Sequence, residues 1–322
     1  MDELQSRVER VLDAYFKRSS IDLSTGGNVQ AEAFAEFVKT TGAEGTPLLN
    51  SIRAAGGFII RNGDPIHISM LGLAARQLQK ATKATAPGSV VSFTTGDASI
   101  STTEVIYPVD LDYQDFEDAI GKMPSELGQE ATNAYLDQVT GDLVMAAIAR
   151  DLQDLLLNGD AASLTPFLKT FDGILKLVAA SGTTYAPGMA QTVKEFLNGL
   201  YAAAAANLKA QKSQLAIWLP STDFADLWDL YDQRSTSLGD AALTQDQEGG
   251  LRYHGVPCYE CDHLPDHKAL LAKNNFAYVG LRRVWSVEKQ RQPRKRVLEM
   301  TVTARVGHAE VLDYVVLGTR TV

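Results

Sequence analysis

The densest group of potential metal ligands lies between residues 254 and 267. Two cysteines separated by two residues, with histidines on either side, are residue types that bind zinc in proteins. The candidates are His254, Cys258, Cys261, His263 and His267. Alternation along a straight strand, however, places Cys258 and Cys261 on opposite faces, and the sequence has no second cysteine pair. We therefore predict a strand with polar side chains and neither metal nor cofactor, and keep a zinc-dependent soluble enzyme as the remote alternative.

A second candidate is a run of basic residues near the C-terminus. It contains Lys289, Arg291, Arg294, Lys295 and Arg296. One interpretation is a surface that contacts DNA phosphates without reading sequence. The other is a β-hairpin tip that is solvated or pairs with acidic groups of a neighbouring protein. We favour the protein interface and keep the DNA contact as the alternative.

Groups that would indicate catalysis are missing from the sequence. It contains no Gly-x-Ser-x-Gly elbow, no Gly-rich phosphate loop and no His-Glu-x-x-His pair. The carboxylates of Asp223 and Asp226 are more simply charges at the start of a helix, which we expect Ser221 to cap. We therefore predict no catalytic residues and a protein that is not an enzyme.

The composition is that of an ordinary globular chain. Of 322 residues 45 % are hydrophobic, and the formal net charge is −9, which argues against a protein that binds nucleic acid over its whole surface. The length predicts two domains or one elongated one. No apolar run approaches the roughly 20 residues of a membrane span, and the charged N-terminus does not resemble a signal peptide, so we expect a cytosolic origin.

One long helix is the dominant predicted element. Pro124 suits a first helical position, Asn158-Gly159 is a helix stop, and apolar residues between them recur at steps of three to five. The predicted helix, about 124–158, greatly exceeds the usual length of about 11 or 12 residues. We therefore expect it to pack on a sheet, with bends possible at Gly128 and Gly141.

Shorter elements flank this helix. Two short helices are predicted at 1–18 and about 29–40, separated by turn residues at 19–28. Residues 57–118 are predicted to form a long hairpin, because their middle is rich in Ala, Thr, Ser and Gly and carries few large apolar side chains. Further along, we predict a helix at 190–209 and a strand at 215–219 ended by Pro220.

The C-terminal region is predicted to be β-structure. Apolar and polar residues alternate from Leu298 to Val306 with a period of two. Gly307-His308 indicates a turn, and 311–317 is predicted to return as the next strand. This antiparallel sheet is the best candidate for the surface under the long helix.

The order of these elements resembles that of the major capsid proteins of tailed bacteriophages, the Hong Kong 97-type fold. The resemblance covers roughly 45–322 and rests on short motifs in a fixed order. They are Thr46-Pro-Leu-Leu-Asn50, Ser101-Thr-Thr-Glu-Val-Ile-Tyr-Pro-Val109 followed by the acidic 110–118, 149–160 ending in Asn-Gly-Asp, Thr170-Phe-Asp-Gly-Ile174, and Gly255-Val-Pro257 with Pro265.

The resemblance implies an α+β fold in five parts. These are an N-terminal arm (1–56), an extended β-hairpin loop (57–118), a peripheral domain with a spine helix (119–185), an axial α/β domain (186–272) and a return to the peripheral sheet (273–322). It also implies a structural protein that self-assembles into pentamers and hexamers of an icosahedral shell around double-stranded DNA. Its place would be the virion, assembled in the host cytoplasm, and the alternative is an encapsulin-like bacterial compartment shell.

Partners follow from the same resemblance. Besides copies of itself we expect a separate scaffolding protein, a portal, possible decoration proteins and packaged DNA bound without specificity, and no membrane. Inter-subunit contacts are predicted between two lysines of one copy and an acidic stretch of the next. The lysines are Lys80 and Lys83, and the acidic residues are Asp110, Asp112, Asp115, Glu117 and Asp118.

Overall fold

The computed structural model describes residues 27–30, 46–62, 65–73, 93–112, 129–233, 243–245, 250–292 and 297–321. Its helices are α1 (Pro47–Ala54), α2 (Gln129–Asn158), α3 (Ile174–Ser181), α4 (Val193–Ala203), α5 (Ala206–Lys209) and α6 (Ser221–Asp232). Short 3-10 turns lie at Leu168–Thr170, Lys212–Gln214 and Leu312–Tyr314. Among the described helices none is long and apolar enough to cross a membrane.

The strands form two large sheets and one hairpin. They are β1 (Gly27–Gln30), β2 (Phe58–Arg61), β3 (Ile66–Leu73), β4 (Phe93–Ile100), β5 (Thr103–Asp112), β6 (Thr183–Tyr185), β7 (Leu215–Leu219), β8 (Leu243–Gln245), β9 (Leu251–Tyr253), β10 (Val256–Glu260), β11 (Lys268–Lys273), β12 (Ala277–Arg282), β13 (Val284–Gln292), β14 (Val297–Glu310) and β15 (Val315–Thr319). Strands β3 and β4 pair only with each other in the described sheets.

The six-stranded sheet is built around β14, whose two edges are both occupied. Val306 pairs with Leu281 of β12 and with Thr103 of β5, so these strands lie on opposite sides of β14. Strand β13 pairs with β14 on the same side as β12, further along the strand. Strand β2 pairs with the outer edge of β12, and β1 pairs with the outer edge of β13. Strand β5 has β14 as its one partner in the described sheets. It therefore forms an edge of the six-stranded sheet.

The central strands of the seven-stranded sheet are buried on both faces. Its order is β6-β15-β11-β7-β10-β9-β8. Along β7, Ile217 enters one hydrophobic core, which also contains helices α4 and α6. Its neighbour Trp218 enters the other core, which also contains α2, α3 and the six-stranded sheet. A strand buried on both faces has a continuous apolar sequence, and β7 reads LAIWL with all five residues buried.

The predicted long helix is present and packs on the predicted sheet. Helix α2 has 30 residues, ends at Asn158 and continues through Gly141. Its proposed start at Pro124 and the possible bend at Gly128 lie outside the described residues. The shared core joins Met145, Leu152 and Leu156 of α2 to Met300 and Val302 of β14. The alternating apolar residues of this strand thus form the sheet face on which the helix packs, as predicted.

Two side chains of α2 join this helix to the rest of the fold. Gln153 is fully buried. Its Oε1 accepts hydrogen bonds from the backbone N–H groups of Leu48 and Leu49 at 3.1 and 3.4 Å. These are two of the first N–H groups of α1, which have no partner within their own helix. Gln153 Nε2 lies 3.1 Å from His263 Nδ1 and 3.7 Å from Cys261 Sγ.

One turn further along, Asn158 makes a second connection. Its Nδ2 donates to the backbone oxygen of His263 at 2.7 Å, and to Asp154 Oδ1 at the same distance. Segment 261–263 follows directly after β10 of the seven-stranded sheet. The long helix is therefore fixed to that sheet by hydrogen bonds from Gln153 and Asn158 as well as by hydrophobic packing.

Several predictions of local structure are wrong. Gly307 and His308 do not form a turn, because β14 runs unbroken to Glu310. A Cβ at Gly307 would collide with the Ser101 carbonyl oxygen, so close backbone approach explains the glycine. The strand predicted at 311–317 is β15, which joins β11 in the seven-stranded sheet rather than β14. The end of the predicted return segment 273–322 thus belongs to the other sheet.

Other boundaries also differ from prediction. Residues 29 and 30 belong to strand β1, not to a helix, and the rest of 29–40 and the helix at 1–18 lie outside the described residues. Helix 190–209 is two helices, because Ala204 and Ala205 are extended. The N-cap of α6 is Pro220, and the Ser221 hydroxyl instead donates to Asp262 Oδ1. In the described parts of 57–118, β3 and β4 form the hairpin, while β2 and β5 join the six-stranded sheet.

We predict that Gln153→Ala destabilises the subunit by about 2–4 kcal/mol, because it leaves buried N–H groups of α1 without an acceptor. Urea unfolding of the unassembled subunit measures this free energy. Arg150→Ala, on the exposed side of the same helix, is the matched control and should change stability by less than about 0.5 kcal/mol. Equal effects of the two substitutions would contradict the role assigned to Gln153.

Candidate functional site

The five candidate zinc ligands do not form one site. Cys258 belongs to the core beneath α4 and α6, whereas Cys261 belongs to the core shared with α2. The two thiols therefore lie on opposite sides of the sheet, as the alternation in the sequence predicts. Across the described parts of the chain, no three His, Cys, Asp or Glu side chains come close enough to hold a metal ion.

The histidines of this set have separate partners. His263 contacts Gln153, as described above, and His254 Nε2 lies 3.1 Å from Asn198 Oδ1. His267 Nδ1 lies 3.3 Å from Asp223 Oδ1. Each imidazole thus helps to hold a loop against a helix.

Both thiols are in surroundings that favour their neutral form. Burial raises the pKa of Cys258 to about 12, although its contact with the Tyr253 backbone acts in the opposite direction. Burial also raises the pKa of Cys261 to about 12, against smaller effects of the His263 and Leu264 backbone. Zinc binds thiolates, whereas burial favours the protonated thiol at both positions.

The predicted inter-subunit residues are only partly within the described structure. Asp110 is exposed on edge strand β5, opposite Glu299 of β14. Asp112 ends the same strand, opposite Val297. Lys80, Lys83, Asp115, Glu117 and Asp118 lie outside the described residues. The structure therefore places the first two acidic positions on a sheet edge.

The basic run lies on a β-hairpin. Strands β13 and β14 pair from Ser286 and Thr303 to Gln292 and Val297. Lys289 and Arg291 are residues of β13, while Arg294, Lys295 and Arg296 in the connection between the strands lie outside the described residues. The predicted hairpin is thus confirmed for its strands, and the choice between a protein and a DNA contact stays a prediction.

A cleft of about 460 Å³ lies between α2 and edge strand β5. Its lining residues include Tyr107, Asp151, Leu155, Phe167 and Val302. Burial raises the pKa of the Asp151 carboxyl, and repulsion by Asp154 raises it further. Burial and the nearby Asp151 also raise the pKa of Tyr107. The wall is mostly apolar and contains two carboxylates, Glu104 and Asp151, of which Asp151 lies in surroundings that disfavour its charge.

The motif that ends α2 packs against the motif that begins α3. The Gly173 N–H donates to the Gly159 carbonyl oxygen at 2.7 Å. Lys176 bridges Asp160 and Asp172 at 2.7 and 2.6 Å. The hydrogen bond from Lys176 is the largest cause of the lowered pKa of both carboxyls, and these bonds raise the pKa of Lys176. Asn-Gly-Asp and Phe-Asp-Gly, noted separately in the sequence, thus form one corner.

A buried ion pair fixes the C-terminus to helix α6. Asp223 has no exposed surface, and its Oδ1 accepts a hydrogen bond from Arg320 Nη1 at 2.6 Å. The same nitrogen lies 2.9 Å from the exposed Asp226. Arg320 Nε also donates to the Gln191 carbonyl oxygen at 2.9 Å. Asp223 lies in the first turn of α6 as predicted, but its pairing with Arg320 was not foreseen.

Relatives and solved structures give a consistent picture. No protein-family model matches the chain. Over 225 residues it is 26 % identical to YqbE of Bacillus subtilis (strain 168), whose name provisionally assigns it as a prophage capsid protein. The alignment covers 66 % of this chain and 67 % of YqbE.

Solved capsids match over most of the chain. One match is a chain of the satellite phage P4 procapsid, a particle that includes the size determination (Sid) protein, with a TM-score of 0.61 at 10 % identity. The alignment covers 98 % of this chain and 97 % of the procapsid chain. The capsid of the native GTA particle has a TM-score of 0.52 at 13 % identity, and Mycobacterium phage Bobi one of 0.51 at 14 %. Each of these two alignments covers 84 % of this chain and 90 % of the matched chain.

The chain has the fold of a phage major capsid protein. The predicted α+β class and Hong Kong 97-type fold are confirmed. Helix α2 is the predicted long helix. The seven-stranded sheet with α4 and α6 takes most of its elements from 186–272, the segment predicted as an axial domain, but it also includes β6 and β15 from outside that segment, so the division into domains stays a prediction. The sequence did not reveal Gln153 or Arg320, because a buried glutamine or arginine has no local pattern that distinguishes it from a surface residue.

We predict that both cysteines of the folded subunit react with a thiol reagent at pH 8 at less than about a hundredth of the rate of an exposed thiol, because burial excludes the reagent and raises both pKa values. Absorbance with a chromogenic disulfide measures this rate. In denaturant both thiols should react at once. Fast reaction in the folded state would contradict the buried positions.

We predict that Arg320→Ala destabilises the subunit by about 3–5 kcal/mol, because it leaves the Asp223 carboxylate buried without its cation. Thermal and urea unfolding measure the loss. The double variant Arg320→Ala/Asp223→Ala should recover part of it, whereas Asp226→Ala should cost less than about 1 kcal/mol because that pair is exposed on the aspartate side. A double variant less stable than Arg320→Ala alone would contradict this account.

Proposed function

We propose that this chain is the shell-forming subunit of a tailed-phage capsid, assembling into pentamers and hexamers of an icosahedral particle around double-stranded DNA. The observation that carries the proposal is the agreement of nearly the whole chain, 98 %, with a chain of a phage procapsid. A match that includes the hairpin, the long helix and both sheets is more specific than a match to one domain.

The described surface supports a protein that assembles. The hairpin β3–β4 is a two-stranded sheet, and such hairpins are marginal when isolated in water. Strand β5 leaves one edge without a partner among the described strands, and free edges pair readily with other chains. Leu164 and Met189 are exposed by 101 % and 77 %. These elements would gain stability from contact with neighbouring copies.

The proposal includes further partners and a place. The scaffold would be a separate protein, a portal would occupy one vertex, and decoration proteins could bind outside. Packaged DNA would be contacted without sequence specificity, with the β13–β14 hairpin as one candidate surface. The subunit would reside in the virion after assembly in the host cytoplasm. It would have no enzymatic activity, since the function is to occupy a place in the shell.

The two alternatives lack a supporting observation. An encapsulin-like compartment shell would require the same fold, but the similar structures named above are phage and GTA capsids. A zinc-dependent enzyme would require its ligands to meet, whereas the candidate set is divided between two cores and separate loops.

The experiment that tests the function is electron microscopy of the purified protein, with and without candidate scaffolding protein. We expect shells, tubes or free five- and six-membered rings of the subunit. Particles no larger than a monomer or dimer under all of these conditions would overturn the proposal.

We predict that the double variant Lys80→Glu/Lys83→Glu lowers the yield of assembled particles, because it would place like charges against Asp110 and the acidic residues that follow on the next copy. Each exposed pair contributes only about 0–1 kcal/mol, but a shell repeats the loss at every interface. Sedimentation measures the assembled fraction. Assembly at the wild-type yield would show that these lysines do not form the predicted contact.

A further inference from the structure

Two lysines and a histidine surround an aromatic ring in the seven-stranded unit. The Nζ atoms of Lys209 and Lys212 lie 5.8 and 5.7 Å from the ring centroid of Tyr201 on α4. The His254 imidazole stacks on the same ring, with 5.1 Å between centroids. We call Tyr201, Lys209, Lys212 and His254 the basic cluster. Cations over the face of an aromatic ring are attracted by its quadrupole, so this arrangement is stabilising.

Backbone groups hold the basic cluster in place. Lys209 Nζ donates to the Ala202 carbonyl oxygen at 2.7 Å, and Lys212 Nζ to that of His254 at 3.4 Å. His254 and Gly255 form the two-residue turn between β9 and β10, with φ values of 51° and 82°. The two ammonium groups thus contact neutral carbonyl oxygens, and no ion pair joins them to a carboxylate among the described residues.

Helix α6 presents the opposite charge. Asp226, Asp229 and Asp232 recur every three residues on its solvent-exposed side. Arg320 binds Asp226, but Asp229 and Asp232 form no ion pair with a described cation. Trp228 lies beside them, half-buried, with its ring edge-on to Phe224 and Tyr231. We call Trp228, Asp229 and Asp232 the acidic face.

Both surfaces belong to one rigid part of the fold. Helices α4 and α6 pack on each other and cover the same face of the seven-stranded sheet, where Leu200 and Leu227 share one core. Each surface combines exposed charge with a half-buried aromatic ring, Tyr201 in one and Trp228 in the other. Aromatic residues surrounded by polar groups are typical of protein interfaces.

We propose that the basic cluster of one copy binds the acidic face of another copy of this chain, and that this contact joins neighbouring subunits in a ring. The inference rests on the proposed function, since it presumes that copies assemble. Contacts around a ring are heterologous, and such contacts require two different, complementary surfaces on each copy. The basic cluster and the acidic face meet this requirement, because their opposite charges form no ion pair with other described residues and each lies beside an aromatic ring.

A second copy fits the basic cluster better than a nucleic acid does. The cluster offers two lysines, whereas binding a phosphate backbone with useful affinity usually involves several more cations. The acidic face occupies the same unit, and the chain carries a net charge of −9, so a long polyanion would meet repulsion beside the cluster. The acidic face of a second copy instead offers two carboxylates, Asp229 and Asp232, which equal the two lysines in number.

The test compares two charge reversals with their combination. One variant is Lys209→Glu/Lys212→Glu, the other Asp229→Lys/Asp232→Lys, and the third combines all four substitutions and keeps the wild-type net charge. Each single reversal places like charges in the contact, so we expect about a tenfold lower assembled fraction. The combined variant restores opposite charges and should recover most of the wild-type yield. Sedimentation gives the assembled fraction, and thermal unfolding verifies that every variant is folded.

The outcomes separate this inference from the proposed function. If the wild-type chain forms neither rings nor shells, the proposed function fails. If it assembles, and either reversal assembles equally well, the inference alone fails. The inference also fails if one charge-reversal variant loses assembly and the combined variant does not recover it. A Lys209→Glu/Lys212→Glu variant that assembles normally but no longer retains double-stranded DNA would replace the inference with a phosphate contact.

Discussion

The structure depends on the hydrogen bonds of one fully buried glutamine. A buried amide that lacked partners would cost more than its removal. Gln153 avoids this cost by binding two N–H groups at the start of α1 and by contacting Cys261 and His263 beyond β10. Hydrophobic contacts are non-directional, but these hydrogen bonds fix the position of the long helix relative to both α1 and the seven-stranded sheet. Asn158 repeats the connection one turn later.

This connection matters because the seven-stranded sheet separates two cores. Side chains alternate along β7, β11 and β15, so that Leu270 and Leu317 face the core around α2 while Leu271 and Val316 face the core beneath α4 and α6. The strands beneath α4 and α6 are therefore the same strands that pack against the long helix. The two cores are thus joined through the strands that they share.

The surfaces available for assembly differ in kind. Strand β5 has one edge without a partner among the described strands, and the β3–β4 hairpin forms a separate sheet. The α4–α6 face carries opposite charges beside aromatic rings. Backbone pairing contributes affinity with little selectivity, whereas complementary charge contributes orientation and register. In the assembly that we propose, each copy would need both to bind its neighbours firmly and at one angle.

The sequence alone determined the elements with strong local signals. The long helix and its end at Asn158 followed from periodicity and a stop motif, the strand at 215–219 from an apolar run ended by Pro220, and the alternation at 298–306 identified the sheet beneath the helix. The order of the motifs led to the capsid fold. Tertiary structure decided what depends on distant residues. Gly307 predicted a turn, but the structure has a glycine there because the backbone of Ser101 passes too close for a side chain. Strand β15 pairs with β11 rather than with β14, the strand that precedes it in the sequence. The burial of Gln153 and the pairing of Asp223 with Arg320 join residues about a hundred positions apart, and local pattern contains no information at that range.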